Sequence, residues 1–113
     1  MSEPRPWLKN YPAGVAPEVD MDEFRTIVSV LEASCKLYRE RPAFRNFGTV
    51  ITYGDLDRRS SQFAAYLLMD LKLKKGDRVA LMMPNLLQYP IAIMGVLRAG
   101  LIVVNTNPLY TAR

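Results

Sequence analysis

The sequence predicts an α/β fold built on a parallel sheet. Two short apolar runs, Val79–Met83 and Leu101–Val104, have the length and continuity of strands that are buried on both faces. The segment between them is long enough for a helix, and its apolar residues recur at helical spacing (Leu86, Tyr89, Ile93 and Leu97). A strand, a helix and a second strand form a βαβ unit, whose crossover we expect to be right-handed.

The first nineteen residues predict an extended arm. Four of the eight prolines (Pro4, Pro6, Pro12 and Pro17) fall in this stretch, which lacks an apolar period. The acidic Glu3 and the absence of an apolar run exclude the pattern of a secretory signal. We therefore divide the chain into an arm, residues 1–19, and the start of a globular domain, residues 20–113.

A first helix is predicted from about Asp22 to the residues before Pro42. Asp20 or Asp22 can cap its start, and Pro42 can stop it. Its apolar face consists of Phe24, Ile27, Val28, Leu31, Cys35 and Tyr38. Cys35 is the single cysteine, so no internal disulfide can form, and we expect it to be a small core residue.

A β-hairpin and a second helix follow. Ala43–Phe47 and Val50–Tyr53 have the composition of strands, and Gly48–Thr49 can turn the chain between them. Thr52 and Asp55 have the spacing of a capping box in which a short acid replaces the usual Glu. The helix that they open has one apolar stripe, formed by Leu56, Phe63, Ala64, Leu67 and Leu71.

Local signals also mark the ends of the elements in the βαβ unit. Gly76–Asp77 predicts a turn before the first strand, and Asn85 can cap the helix after it. Pro90 should bend or loosen the start of that helix, and Gly100 is suited to its end. Beyond the second strand, a loop is expected around Pro108.

Ligands of parallel α/β sheets gather outside the carboxyl ends of the strands. Those ends are Met83–Asn85 and Asn105–Asn107, whose polar residues are also typical cap and loop formers. Tyr89 and Tyr110 could stack on a base, although edge packing is the simpler interpretation. Neither a Gly-x-Gly-x-x-Gly loop nor a P-loop is present. The residues alone therefore define no catalytic site.

Composition excludes several classes of function. Without histidine, and with one cysteine, the chain has neither the usual zinc patterns nor a Ser-His-Asp device. The net charge is +4, yet no basic face with interleaved aromatic residues indicates nucleic-acid binding. Lys72, Lys74 and Lys75 follow a helix end, where cations complement the dipole; contact with anionic lipid is the alternative. The apolar stretches are too short to span a bilayer, and these signs agree with a reducing cytoplasm.

Residues 73–85 (Leu-Lys-Lys-Gly-Asp-Arg-Val-Ala-Leu-Met-Met-Pro-Asn) and 103–111 (Val-Val-Asn-Thr-Asn-Pro-Leu-Tyr-Thr) carry a specific resemblance. Together with Arg41–Phe44 and Thr52–Tyr53, they closely resemble the acyl-adenylate-forming enzymes. The narrower string Met82–Pro90 is most similar to the bacterial long-chain fatty-acid–CoA ligases. The resemblance implies the start of the large N-terminal AMP-binding domain, with a hairpin and the first parallel βαβ unit.

The resemblance also implies an activity. Such ligases use ATP and Mg²⁺ to join a fatty acid to AMP, release pyrophosphate, and let coenzyme A displace AMP to give acyl-CoA. The expected partners are therefore fatty acid, ATP and CoA, without nucleic acid. The expected location is the cytoplasm, with peripheral contact at the inner face of the cell membrane.

The parts of the family that bind phosphate, magnesium, ribose and the acyl chain are expected beyond Arg113. We therefore assign no catalytic, cofactor-binding or metal-binding residue within this chain, and expect it to be inactive and to fold poorly by itself. Two alternatives stay open: an adenylate-forming ligase for another carboxylic acid, and a non-catalytic interaction module. Gene sequence downstream of Arg113 would distinguish them, because a ligase needs a Ser/Thr/Gly-rich stretch with lysine.

Overall fold

The computed structural model describes residues 4–112, and it confirms the predicted α/β class. The first three residues of the predicted arm, including Glu3, and the final Arg113 lie outside the described residues. After a 3-10 helix at Pro6–Asn10, the elements are α1 (Ile27–Leu37), β1 (Pro42–Asn46), β2 (Thr49–Thr52), α2 (Tyr53–Met69), β3 (Arg78–Leu81), α3 (Gln88–Arg98) and β4 (Ile102–Asn105). Within residues 4–112, no helix is both long and apolar enough to cross a membrane.

The arm is not uniformly extended, because residues Pro6–Asn10 form a 3-10 helix. Pro6 occupies its first position, where the fixed φ of proline suits a helical turn and no backbone donor is lost. Trp7 in this turn is 53% exposed, so the turn does not anchor a core. The division at residue 19 stays a prediction.

The first helix begins later than predicted. Its N-cap is Thr26, so the expectation that Asp20 or Asp22 caps it is wrong. The Thr26 hydroxyl accepts a hydrogen bond from the Ser29 backbone N–H at 3.0 Å, and the Thr26 N–H donates to the Ser29 hydroxyl at 3.2 Å. Asp20 instead accepts from the Asp22 backbone N–H at 2.9 Å, which forms a local turn ahead of the helix.

The packed face of α1 is narrower than predicted. Phe24 lies before the helix, and Ile27 is 66% exposed. Cys35 is confirmed as a core residue, and burial raises the pKa of its thiol. The half-buried Val28 and Leu31 share its face. The helix ends at Leu37, before Pro42 is reached.

The predicted hairpin is confirmed within one residue at each strand boundary. β1 and β2 are antiparallel, and Asn46 pairs with Thr49. The turn is therefore made by Phe47 and Gly48, one residue earlier than predicted, with φ angles of +46° and +78°. Two central residues with positive φ are typical of the mirror-image turn whose twist matches that of the two strands.

The capping box of α2 is confirmed. The Thr52 N–H donates to the Asp55 carboxylate, and the Asp55 N–H donates to the Thr52 hydroxyl, both at 3.1 Å. Of the predicted apolar stripe, Leu71 lies beyond the helix end and is 49% exposed. The other members face the core, with Leu56, Ala64 and Leu67 buried and Phe63 half-buried.

Helices α2 and α3 cross at small residues. Ser60 is fully buried, and a Cβ placed on Gly95 would lie 3.0 Å from the Ser60 carbonyl oxygen and 2.7 Å from Phe63 Cδ1. No side chain larger than hydrogen fits at Gly95 unless the helices move apart. Gly95 therefore sets the distance between α2 and α3.

The βαβ unit is confirmed. β3 and β4 are parallel, in a register that pairs Arg78 with Ile102 and Leu81 with Asn105. β3 ends at Leu81, two residues before the predicted end, and Met82 is 54% exposed.

The ends of α3 are only partly as predicted. Its N-cap is Leu87, without a side-chain hydrogen bond, so the capping role expected of Asn85 is wrong. Pro90 is the third residue of a continuous helix, where a backbone N–H has no intrahelical acceptor, and the bending or loosening expected there stays a prediction. Gly100 is confirmed as the stop. With φ of +75°, it donates its N–H to the Leu97 carbonyl at 3.0 Å.

The core consists of two apolar clusters that meet on α3. One lies between α2, α3 and the parallel strands, and contains Ala64, Leu67, Leu81, Ala92, Val96, Ala99 and Leu101. The other joins α1, the hairpin and α2 to α3, and contains Cys35, Ile51, Leu56 and Met94. The two-stranded parallel sheet is covered on one face only: on the other, Ile102 is 45% and Val104 is 39% exposed.

Candidate site at the carboxyl ends of the parallel strands

An open cleft of about 680 Å³ lies at the carboxyl ends of β3 and β4. It is lined by residues 83–85 after β3, by Asn105 at the end of β4 and residues 106–110 beyond it, and by Tyr89 from the first turn of α3. The structure therefore brings together both strand ends that the sequence predicts for ligand binding. Because the two strands are parallel and adjacent, their carboxyl ends meet at one edge of the sheet.

Asn105 and Tyr89 form a fixed wall of this cleft. The Tyr89 hydroxyl donates to Asn105 Oδ1 at 2.5 Å, which ties the start of α3 to the end of β4. One residue further, the Thr106 N–H donates to the Leu81 carbonyl at 3.0 Å, so the ladder continues past β4. The Tyr89 hydroxyl and the Asn105 side-chain oxygen are thus engaged with each other.

Asn107 shapes the loop that closes the far side. Its side-chain oxygen accepts the Leu109 N–H at 2.9 Å, and its carbonyl accepts the Tyr110 N–H at 3.0 Å. The loop-forming interpretation of Asn107 is therefore confirmed. Tyr110 is 69% exposed, so the edge packing that we expected for this ring is wrong.

Asn85 links the cleft to the hairpin. Its carbonyl accepts a hydrogen bond from Asn46 Nδ2 at 2.8 Å, although the two residues are 39 positions apart. Sequence reasoning missed Asn46, because nothing local distinguishes it from other strand-end asparagines. The contact holds the loop between β3 and α3 against the tip of β1.

The residue types in the cleft determine its chemistry. Its lining contains amide, hydroxyl, thioether, phenol and aliphatic groups, and neither a carboxylate nor a cationic side chain. It therefore does not fit Mg²⁺, which prefers carboxylate oxygens, and it offers no Lys or Arg to a phosphate. Among residues 4–112, no group of three or more His, Cys, Asp or Glu side chains is placed to hold a metal. The described cleft can accept a neutral polar group, and we derive no catalytic step from it.

The fold and the cleft define one βαβ unit of a parallel α/β domain, a class in which ligands bind at the carboxyl ends of the strands. Comparison with known families is more specific: residues 31–113 match the AMP-binding enzyme family. The match covers most of the chain, and this chain belongs to that family.

Individual relatives are similar over almost the whole chain. It is 59% identical over 107 residues to a Long-chain-fatty-acid–CoA ligase of Yersinia pestis, and 58% identical to the protein of the same name in Escherichia coli O6:H1. Each alignment covers 95% of this chain and 19% of the relative, so the chain spans about a fifth of the length of these relatives. A solved structure, the fatty acid AMP ligase from Legionella pneumophila, matches with a TM-score of 0.69 at 26% identity, covering 86% of this chain and 18% of that one.

Proposed function

We propose that this chain is the first part of the large AMP-binding domain of a long-chain fatty-acid–CoA ligase. In this proposal residues 1–19 are an N-terminal arm, and residues 20–113 begin the domain. The observation that carries the proposal is the 59% identity, over 95% of the chain, to the Yersinia pestis protein of that name. Family membership alone does not select the acid, whereas identity at this level to proteins of one name favours a fatty acid.

The proposed reaction proceeds in two steps through an acyl-adenylate. A fatty carboxylate attacks the α-phosphorus of ATP, forming acyl-AMP and releasing pyrophosphate. The thiol of coenzyme A then attacks the acyl carbon, and AMP leaves as acyl-CoA forms. A free carboxylate is a poor electrophile, and the mixed anhydride supplies the leaving group. The charge that develops on the phosphate oxygens calls for Mg²⁺ and cationic or N–H donors.

The residues described here act as scaffold for that reaction. Gly95 sets the separation of α2 and α3, and Gly100 ends α3 so that β4 can begin. The hydrogen bond between Tyr89 and Asn105 then holds the end of β4 at the cleft. We propose that ATP, Mg²⁺ and CoA bind to other parts of the intact gene product. This term denotes the full-length protein as it is made in the cell.

We also propose that the intact gene product works in the cytoplasm and makes peripheral contact with the inner face of the cell membrane. The support comes from the substrate, because each CH₂ group of a fatty acid favours a bilayer over water by about 0.8 kcal/mol. A long-chain acid therefore resides largely in the membrane, where the enzyme must collect it.

The proposed activity is tested by ATP–pyrophosphate exchange with the intact gene product. We expect exchange that depends on palmitate, and palmitoyl-CoA when coenzyme A is added. Residues 1–113 expressed separately are the control and should give no exchange. Exchange with an aryl, short-chain or amino acid but not with palmitate would contradict the fatty-acid assignment. If none of these acids supports exchange, the result would favour a non-catalytic module.

A further inference from the structure

The tip of the hairpin presents an aromatic side chain to solvent on an unfavourable backbone. Phe47 is 96% exposed, and its φ is +46°. Side chains other than Asn, Asp and Gly are uncommon in this left-handed region. An aromatic ring here gains little from packing, so neither local conformation nor the core explains its presence.

Further exposed apolar groups lie near the hairpin tip. The hydrogen bond from Asn46 to the Asn85 carbonyl holds the hairpin tip against the β3–α3 loop, where Leu86 is 37% exposed. Phe44, on the strand leading to the tip, is 45% exposed. An apolar groove of about 410 Å³ opens between the hairpin and the start of α3, and Phe44, Arg45 and Leu86 are among the residues that line it.

The sequence segments that form the hairpin and the βαβ unit carry charge of one sign. Residues 41–54 and 78–113 contain no Asp or Glu, although the chain has eleven such residues. Arg45 is exposed, and the ion pairs found within residues 4–112 do not include it. The hairpin therefore offers a free guanidinium next to exposed aromatic side chains.

We propose that the tip surface, defined as Phe44, Arg45, Phe47 and Leu86, is where this protein contacts an anionic lipid bilayer. Phe47 inserts at the boundary between headgroups and acyl chains, and Arg45 binds lipid phosphate. A bilayer accepts a projecting ring at any position, and its negative surface complements the exposed Arg45 in a segment that contains no carboxylate. The inference rests on the proposed function only for the existence of peripheral membrane contact.

The test is flotation of the intact gene product with vesicles of phosphatidylcholine containing phosphatidylglycerol. Phe47→Asn should lower the partition coefficient about tenfold, which is the scale of one aromatic side chain leaving an apolar environment. Because Asn tolerates positive φ, this variant should be at least as stable as wild type in urea, and lost binding cannot then be attributed to unfolding. Val19→Asn, which removes an 82% exposed apolar side chain from the arm, is the matched control and should bind like wild type.

Arg45→Gln tests the electrostatic part. Removing one cation near an anionic surface should lower binding to phosphatidylglycerol vesicles about fivefold at low salt. Binding to vesicles of phosphatidylcholine alone should not change.

Three results would overturn the inference, and they separate it from the proposed activity. If wild type and Phe47→Asn float equally, membrane contact uses another surface. If wild type does not float at all, both the tip surface and peripheral contact are wrong, while palmitate-dependent exchange without vesicles still decides the activity. A third result would be that wild type does not bind vesicles and that Phe47→Asn has a lower sedimentation coefficient than wild type. The tip would then be an interface between protein molecules.

Discussion

Arg98 joins the end of α3 to α2 through a guanidinium that is almost fully buried. Its side chain is 10% exposed, and it donates to the Asp57 carboxylate at 2.5 Å, to the Asp57 carbonyl at 2.8 Å and to the Ser61 hydroxyl at 2.5 Å. The remaining nitrogen, Nε, is buried without a hydrogen-bond partner and lies 3.6 Å from a Glu32 carboxylate oxygen. This single residue thus links several oxygen acceptors on α2 to the end of α3.

We expect Arg98→Ala to lower the free energy of unfolding by roughly 2–3 kcal/mol, since several hydrogen bonds to a charged, buried group are lost. Arg39→Ala is the matched control. Its guanidinium lies 3.7 Å from the same Asp57 carboxylate, but its side chain is 60% exposed. Its loss should cost no more than about 0.5 kcal/mol. Urea denaturation of the intact gene product measures both.

Arg98→Lys should recover only a small part of the lost stability, because one ammonium group cannot reproduce the planar fork that reaches four oxygen acceptors. Equal effects of the Arg98 and Arg39 substitutions would show that burial does not distinguish the two arginines. In that case the tie between α2 and α3 would be of little energetic importance.

Residue roles that depend on near neighbours could be predicted from the sequence. Gly100 ends α3 because positive φ is needed there, and that requirement is local. Arg98 could not be predicted, because its partners on α2 lie 37 to 41 positions away. The prediction for Asn85 failed for the same reason. Its position before a helical pattern suggests a cap, but in the structure its carbonyl accepts a hydrogen bond from the distant Asn46 side chain.

The two capped helices show what limits prediction at the level of elements. The capping box of α2 combines Thr and Asp at the expected spacing, and its position was predicted correctly. In α1 the reciprocal partner is Ser29, which is not the Glu or Gln that usually marks this motif. Asp20 and Asp22 are preferred cap residues, and Phe24 continues the apolar period. Together they placed the predicted start too early.

The cap of α2 should make stability depend on pH. Hydrogen bonds from the backbone and hydroxyl of Thr52, with a further contribution from Arg58, hold the pKa of Asp55 below its usual value. A depressed folded-state pKa stabilises the fold above the unfolded-state pKa, about 3.9. This stabilisation is lost as the pH falls through the folded-state pKa. We therefore expect Asp55→Asn to be less stable than wild type at pH 7, with the difference shrinking below about pH 4.

Denaturant titration of both proteins between pH 7 and pH 2.5 measures that difference. Thr52→Ser is the control: it keeps the hydroxyl, so its stability should follow the wild-type pH dependence. A difference between wild type and Asp55→Asn that stays constant over this range would mean that the charge of Asp55 does not contribute to the cap.

At the scale of the whole molecule, the order of elements and the position of the cleft could be predicted. Apolar runs identify the parallel strands, and the rule for their carboxyl ends then places residues 83–85 and 105–107 together. Residues 108–110 form an additional wall of the cleft. The sequence predicts a loop around Pro108, but not the direction in which that loop leaves the sheet.

One face of the parallel sheet is not covered by other elements within residues 4–112, and it exposes apolar side chains to solvent. Ala80 and Val104 are paired on that face, and Ile102 lies beside them. Fully burying a large aliphatic side chain contributes roughly 1.5–3 kcal/mol. Two such side chains left half-exposed therefore forfeit an appreciable part of the roughly 5–15 kcal/mol by which a small domain is stable.

We accordingly expect residues 1–113, expressed separately, to self-associate at micromolar concentration and to melt broadly. Sedimentation velocity and thermal melting followed by circular dichroism measure the two properties. A double variant, Ile102→Thr and Val104→Thr, keeps β-branched residues in the strand and makes the open face polar. If that face drives association, this variant should shift the distribution toward monomer. A monodisperse wild-type monomer with a sharp, reversible transition would instead show that the elements described here suffice for a stable fold.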